Sequence, residues 1–153
     1  MPVSLSQVQA FYQAYARRDV AAVLDFVTVD VEWRVLGPVE VLPFCGHRRG
    51  KAAVAEYFTL LIPTRFSVRR LEPEDMVVDG DSAASFSKVT SVENVTGRVL
   101  TYHCAHFVDF RDGKVISIRV IADSFSVVEQ LSSVQIRMDL PSGIPEDFGW
   151  VPA

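Results

Sequence analysis

The sequence has little of three features that would point to particular classes of protein: cysteine, basic runs and long apolar stretches. Its two cysteines, Cys45 and Cys104, cannot build a disulfide framework, and their spacing matches no metal-binding motif. Reduced thiols are the default in the cytoplasm, so we expect a cytoplasmic protein. No run of lysine or arginine exceeds two residues and the net charge is −4. Nucleic-acid binding is therefore not expected, because phosphates need a basic surface.

Spanning a bilayer takes about 20 consecutive apolar residues, and no such stretch occurs, so no membrane association is expected. The first residues, MPVSLSQVQAF, lack a basic region followed by an apolar run, so we expect no secretory leader. The 153 residues, 49% of them hydrophobic and 22% charged, suffice for one soluble domain. We expect residues 1–132 to form it and residues 133–153, with two Pro-Gly clusters, to form an irregular tail packed on or near it.

Helical periodicity and end signals predict three helices ahead of the main sheet. Ser4 followed by Gln7 is a capping box, and Asp19 is a typical N-cap. Pro63 cannot continue a helix and ends the third. The predicted helices cover about residues 5–18, 20–27 and 51–62.

Alternating apolar and polar residues predict the strands. They cover about residues 31–35, 66–71, 76–78, 83–93 and 98–123, with a loop over 37–50 and a short helix to about 131. Pro73 should interrupt one strand, because proline cannot donate a backbone hydrogen bond. This order predicts an α+β fold, a cone-shaped barrel of a curved, mostly antiparallel sheet packed on three helices. An aromatic-lined cone with few polar groups is the general form of a small-molecule site.

The longest predicted hairpin turns at Asp112-Gly113 and can close in two ways. A two-residue loop pairs His106 with Arg119 and mixes apolar and polar side chains on both faces. A three-residue loop, with Gly113 in the left-handed conformation, pairs His106 with Ile118 and puts apolar and polar side chains on separate faces. We predict the three-residue loop, because it gives one clean apolar face. That inner face carries Tyr102, Cys104, His106, Val108, Phe110, Ile116, Ile118, Val120 and Ala122, and the outer face carries Phe107, Val115 and Ile121 among polar residues.

His106, in the middle of the inner face, is the candidate acid/base residue, because imidazole titrates near neutral pH. The alternative is a core histidine hydrogen-bonded to Tyr15 or to a backbone carbonyl. Tyr15 and Lys88 are candidates for polarising a substrate oxygen. Lys88 falls on the apolar set of its strand, and its alternative is an edge residue reaching water. The candidate substrate-binding residues are Trp33, Tyr12, Tyr57, Phe58, Tyr102, Cys104, Val108, Ile118, Val120 and Asp123.

Several candidates also have a simpler structural interpretation. Trp33 fits the ligand site and the core equally well, and core packing is the better interpretation for at least two of the helical tyrosines Tyr12, Tyr15 and Tyr57. Asp123 is more simply a helix cap than a residue turned into the cone. His103 and His106 lie on opposite faces of a strand, so no metal site is expected from them. His47, in the predicted loop, is either a lid residue at the cone mouth or a solvated side chain.

Four stretches together resemble the nuclear transport factor 2-like superfamily, in its SnoaL-like branch. They are FYQAYARRDVAAVLDFV, VEWRVLG, GHRRGKAAVAEYF and FVDFRDGKVISIRVIADSFSVVEQL, which cover most of residues 5–131 in the right order. The resemblance implies the cystatin-like cone fold and a homodimer formed through the convex outer sheet face. It also implies one of several functions, since this superfamily includes polyketide cyclases, ketosteroid isomerases, epoxide hydrolases and members without catalysis.

The known mechanisms of this superfamily can be compared residue by residue. Ketosteroid isomerases use an Asp base with a Tyr and a protonated Asp as oxyanion donors. The matching positions here hold Trp33, Phe11 and His106, so that mechanism is not expected. The epoxide hydrolase pattern requires an Arg-x-Asp and a further Asp. The nearest residues here are Lys88-x-Thr90 and Val120, so that mechanism is not expected either. Cyclases of the SnoaL type fit best, with His106 as the acid/base residue on an apolar wall.

Two functions therefore stay open. The first is a cofactor-free enzyme that cyclises, isomerises or dehydrates a hydrophobic, oxygen-bearing small molecule. The second is a non-catalytic ligand-binding or dimeric association module. An acid/base site needs at least two convergent polar groups, so polar partners around His106 favour the first function and their absence favours the second.

Overall fold

The computed structural model describes residues 2–132, so the predicted tail over 133–153 lies outside the described residues. The helices are α1 (Leu5–Ala16), α2 (Val20–Phe26), α3 (Lys51–Glu56), which continues into a π-helical turn (Tyr57–Leu61), and α4 (Ser124–Ser132). The strands are β1 (Val27–Leu36), β2 (Gly46–Arg49), β3 (Phe66–Asp79), β4 (Ser82–Glu93), β5 (Val99–Arg111) and β6 (Lys114–Ala122). The predicted α+β order is confirmed.

The six strands form one curved, open sheet in the order β2-β1-β6-β5-β4-β3. Only β1 and β6 run parallel, and the other neighbours in the described sheet pair antiparallel. Helices α1 and α3 contact β3 and β1 at opposite ends of the sheet. The core and the space beneath the helices therefore lie against the inner face of β4, β5 and β6.

The capping signals of the first two helices are confirmed. The Ser4 hydroxyl accepts a hydrogen bond from the Gln7 backbone N–H, and the Gln7 side chain accepts one from the Ser4 N–H at 2.8 Å. The Asp19 carboxylate accepts a hydrogen bond from the Ala22 N–H and caps α2. These bonds satisfy backbone donors that the first turn of a helix leaves free.

The edge strands differ from the prediction. Strand β2 lies inside the predicted loop, where Arg49 pairs with Glu32 and Gly46 with Val35, and its sequence GHRR shows no apolar alternation. Strand β3 runs through Pro73 without a break. Strand β3 is at the edge of the sheet, where proline is tolerated because no further strand needs a hydrogen bond from its nitrogen. A bulge follows between Pro73 and Asp75.

The turn of the central hairpin is the two-residue form, so the predicted three-residue loop is wrong. Asp112 and Gly113 both have positive φ, +52° and +74°, which is the conformation that a two-residue hairpin loop requires. A bulge between Asp109 and Phe110 then shifts the pairing, so that His106 lies opposite Val120 rather than Ile118 or Arg119. The extra residue of the bulge restores the predicted segregation of the two faces beyond it.

Two consequences of this register correct the predicted faces. Val115 pairs with Phe110 and is fully buried, so its predicted place on the outer face is wrong. In β4, Ser85 pairs with His106 and therefore shares the inner face, while Lys88 pairs with His103 and is exposed on the outer face. Lys88 therefore does not face the interior as predicted.

Candidate functional site

A narrow, partly open cavity lies between the inner face of the sheet and the helices. Its wall is mainly apolar side chains from β1, β3, β4, β5 and β6, joined by the end of α1 and the π-helical turn. Six of the predicted site residues line it: His106, Tyr15, Tyr57, Tyr102, Cys104 and Val120. The hairpin thus supplies one wall of the cavity, as its apolar face predicts.

Other predicted site residues lie elsewhere. Trp33 is fully buried behind the cavity wall, stacked parallel to the Tyr15 ring at 5.9 Å. Val108 and Ile118 are core residues, and Asp123 is exposed and accepts a hydrogen bond from the Ser126 N–H as the cap of α4. The structure thus removes these four residues from the cavity lining.

Two further predicted residues lie next to the cavity without lining it. Phe58 packs edge-on against Tyr15 and faces an outer depression beside the cavity. Tyr12 is buried, and its phenol reaches Ser85 on the inner face. Both residues support the rings that form the wall.

Lys88 and His47 are exposed and lie away from the cavity. His47 forms a hydrogen bond with Glu32 on the neighbouring strand.

His106 is connected to two polar side chains in the interior. Its Nδ1 lies 3.5 Å from the Ser85 hydroxyl, and that hydroxyl donates to the Tyr12 phenol oxygen at 2.8 Å. Because the Ser85 proton points to Tyr12, we assign the His106 proton to Nδ1, which donates to Ser85. The His106 Nε2 then carries a lone pair, 4.0 Å from the Cys104 sulfur.

The titratable groups in the cavity wall are held neutral by burial. Burial, together with the nearby positive charge of Arg18, lowers the pKa of His106 to about 3. Burial raises the pKa of Cys104 to about 11 and that of Tyr102 to about 12. It also raises the pKa values of Tyr15 and Tyr57 above their usual range. Among the described lining residues, only Arg18 carries a formal charge at neutral pH.

Arg18 is the functional candidate that sequence reasoning missed. It follows the last turn of α1, where its N–H bonds to the Tyr15 carbonyl at 3.1 Å and the Asp19 N–H bonds to the Ala14 carbonyl at 3.1 Å. This pair of bonds is a Schellman motif, and the residue in its left-handed position is usually glycine. Arg18 takes that position with φ +56°, and its side chain enters the cavity.

The polar groups of β4 were missed as well. Ser85, Ser87 and Ser91 are buried on the inner face, whereas the more apolar alternating set of β4 points outward. The available signal was the pairing of β4 with β5, because residues directly opposite each other share a face. The hydropathy of β4 alone pointed to the wrong face.

No group of three or more His, Cys, Asp or Glu side chains suited to a metal ion occurs within residues 2–132. Across the same residues, no helix combines the length and apolar character needed to cross a bilayer.

The sequence matches the SnoaL-like domain model over residues 8–118, a stretch that contains most of α1, strands β1 to β5 and His106. The chain belongs to the SnoaL-like domain family. No protein with a curated description matches the sequence significantly.

Solved structures share this fold. A provisionally named isomerase from Rhodopseudomonas palustris is 28% identical, with a TM-score of 0.72 over 83% of this chain and 93% of that one. TerC, crystallised with polyporic acid, is 25% identical, with a TM-score of 0.74 over 84% of this chain and 97% of that one. An NTF2-like protein from Burkholderia pseudomallei, 22% identical, has a TM-score of 0.75 over 84% and 96% of the two chains and shows the fold alone.

Proposed function

We propose that this SnoaL-like protein binds a small, mainly apolar, oxygen-bearing molecule in its cavity and catalyses cofactor-free proton transfer on it. The observation that carries this proposal is the connected set His106, Ser85 and Tyr12. An acid/base residue needs convergent polar partners, and His106 has them on its Nδ1 side. Its Nε2 lone pair lies near the weak S–H donor of Cys104, at 4.0 Å, a contact that the substrate would replace.

The reaction class that suits this arrangement is removal of a proton next to a carbonyl group, followed by its return elsewhere. Such a step underlies isomerisation, cyclisation by carbon–carbon bond formation, and dehydration. His106 would accept the proton on Nε2 while its Nδ1–H stays hydrogen-bonded to Ser85, which in turn donates to Tyr12. The Tyr15 phenol, protonated at neutral pH, is the candidate donor to the substrate oxygen.

The comparisons support a small-molecule site in this family. TerC was crystallised with an organic molecule, polyporic acid, and the Rhodopseudomonas palustris protein is provisionally named an isomerase. In each case the match covers more than nine-tenths of the other protein's chain.

The test follows deuterium exchange at the carbons next to the carbonyl of cyclohexanone and related apolar ketones in D₂O by NMR. We expect wild-type protein to accelerate the exchange and His106→Gln to lose about 100-fold or more of the acceleration. Ser85→Ala should lose part of it. Ser87→Ala, which truncates a buried serine of the same strand that contacts no polar partner among the described residues, is the matched control. Equal exchange by wild type and His106→Gln contradicts the proposal.

A second candidate function is a non-catalytic ligand-binding module. The observation that favours it is the burial of His106, which is 1% exposed and has a pKa of about 3, so that its basicity is low. Ligand binding that shifts the His106 NMR signals without any acceleration of exchange would establish this second function.

We also propose that the protein forms a homodimer through the outer face of the sheet. Phe86, Phe107, Ile121 and Leu36 are each at least 40% exposed there, and apolar patches of this kind often mark contacts between proteins. Sedimentation should show a dimer that Phe107→Lys weakens. Val95→Lys, at an 83% exposed apolar residue in the turn between β4 and β5, should leave it intact. A monomeric wild-type protein excludes this interface.

A further inference from the structure

We propose that Arg18 makes the cavity specific for organic acids, in which an apolar body carries a single anionic oxygen group such as a carboxylate. This inference rests on the ligand-binding part of the proposed function and names the class of ligand. It is carried by the bonding state of the Arg18 side chain, its backbone conformation and the composition of the surrounding wall.

The Arg18 guanidinium has a side-chain hydrogen bond with Tyr15, but two of its nitrogens lack acceptors. Its Nε and Nη1 atoms are buried, and neither has a hydrogen-bond partner within the described part of the chain. No residue of the described cavity lining is acidic, and no ion pair joins Arg18 to a carboxylate in residues 2–132. A buried cation without an anionic partner is costly, and a carboxylate matches two parallel donors of a guanidinium.

Aromatic rings hold the guanidinium in place. Its central carbon lies 5.1 Å from the Tyr15 ring centre and 5.5 Å from that of Phe58. The Tyr15 side chain also hydrogen-bonds to Arg18, whereas the ring faces contribute cation–π attraction and accept no strong hydrogen bonds. The Nε and Nη1 donors therefore stay available to a ligand while the rings fix their position.

The backbone at Arg18 also indicates a functional constraint. A left-handed φ of +56° is unfavourable for a residue with a Cβ, and glycine would relieve it. An arginine here lowers the stability of the helix end and contributes a charge to the cavity. Strained residues of this kind cluster at ligand sites.

A ligand can reach Arg18 and extend beyond it. The side chain lines both the cavity and the outer depression formed with Phe58, Pro63 and Ser67, so it stands between the interior and the surface. Beyond it the wall is mainly apolar, which favours an organic acid over an inorganic anion. A bound anion would also offset the Arg18 charge, one of the two causes that keep the pKa of His106 low. Binding and proton transfer would thus be coupled.

The test measures the binding of benzoate and of its neutral counterpart benzamide by calorimetry and by NMR shifts of the Tyr15 and His106 rings. We expect benzoate to bind wild-type protein about tenfold or more tighter than benzamide, and Arg18→Gln to abolish that preference. The matched control is Arg17→Gln, which removes the same charge from the exposed neighbour and should leave the preference unchanged. Arg18→Gly, which suits the left-handed backbone, should behave like Arg18→Gln and guards against misfolding of the glutamine variant.

Equal affinity for benzoate and benzamide in wild type, or a benzoate preference that survives in both Arg18 variants, would overturn the inference. Failure of the proposed catalysis gives a different result. If benzoate binds through Arg18 but no ketone exchange depends on His106, the acid site stands and the proton-transfer proposal falls. If His106 drives exchange of neutral ketones equally well in Arg18→Gln, and the protein does not prefer benzoate to benzamide, the proton-transfer proposal stands and the acid site falls.

Discussion

The two faces of the β5–β6 hairpin carry the same kinds of residue in opposite surroundings. On the inner face, His106 is 1% exposed and lies against the rings of Tyr12 and Tyr15. On the outer face, His103 is exposed, stacks flat on Phe86 and lies 3.3 Å from a Glu74 carboxylate oxygen. The helices cover only one face. Whether a histidine of this hairpin is a neutral interior group or a solvated one is therefore set by the cover and not by the strand.

The largest expected effect compares two isoleucines of β6. Ile118 is fully buried and Ile121 is 44% exposed on the opposite face. We expect Ile118→Ala to lower the free energy of unfolding by about 3 kcal/mol, because it leaves a cavity in the core. Ile121→Ala should lower it by less than about 1 kcal/mol. Urea denaturation of both variants checks this contrast, and equal losses would show that the outer face is covered in solution.

The next effect concerns pH. The pKa of His106 is lowered from 6.5 to about 3, so the unfolded chain binds a proton at a pH where the folded protein does not. The contribution of His106 to the free energy of unfolding is fully present above its pKa in the unfolded chain. It decreases as the pH falls towards the pKa of His106 in the folded protein. The loss should be about 2 kcal/mol between roughly pH 7 and pH 5.

Urea unfolding across this pH range measures the loss. His106→Gln should remove that part of the slope. An unchanged slope in His106→Gln would show that the imidazole is solvated or paired in the folded protein.

A smaller effect of opposite sign is expected at Arg18. Arg18→Gly should raise the free energy of unfolding by about 1 kcal/mol, because glycine accepts the left-handed conformation and two buried guanidinium nitrogens without hydrogen-bond acceptors are removed. Thermal unfolding of Arg18→Gly beside Arg17→Gly checks the sign. The control places glycine at the right-handed C-cap position, with φ −76°, where it brings no such relief. A loss of stability in Arg18→Gly would mean that ring packing outweighs the strain.

The smallest effect is expected at Lys88. Because it is exposed on the outer face, Lys88→Ala should change the free energy of unfolding by no more than about 0.5 kcal/mol. It should also leave ketone exchange and benzoate binding unchanged. A loss of ligand binding in this variant would contradict the assignment of β4 faces given by the Ser85–His106 pairing.

The hairpin shows how far sequence patterns reach. The alternation of its residues predicted correctly that His106, Cys104 and Tyr102 share the inner face. The same pattern did not predict the bulge at Asp109, because a bulge combined with a two-residue turn gives almost the same segregation as a three-residue turn. The alternation of side chains between two faces is a property of one strand, whereas register depends on how two strands pair.

The site was predicted only in part for a related reason. Tyr15 and Tyr57 were identified by helical spacing, since the inward face of a helix is readable from its sequence. Arg18 was not, because a surface-type residue between two helices carries no mark of its backbone conformation. Ser85 was not, because its hydroxyl lowers the hydropathy of the face that is in fact buried.

The sequence by itself determined the α+β order, the capped helices, the apolar face of the central hairpin and the central position of His106. These features follow from local periodicity and from end signals that involve neighbouring residues. Only the tertiary structure decided the strand register, the exposure of Lys88, the contact of His106 with Ser85 and the entry of Arg18 into the cavity. Each depends on segments distant in the chain, whose mutual packing no local pattern encodes.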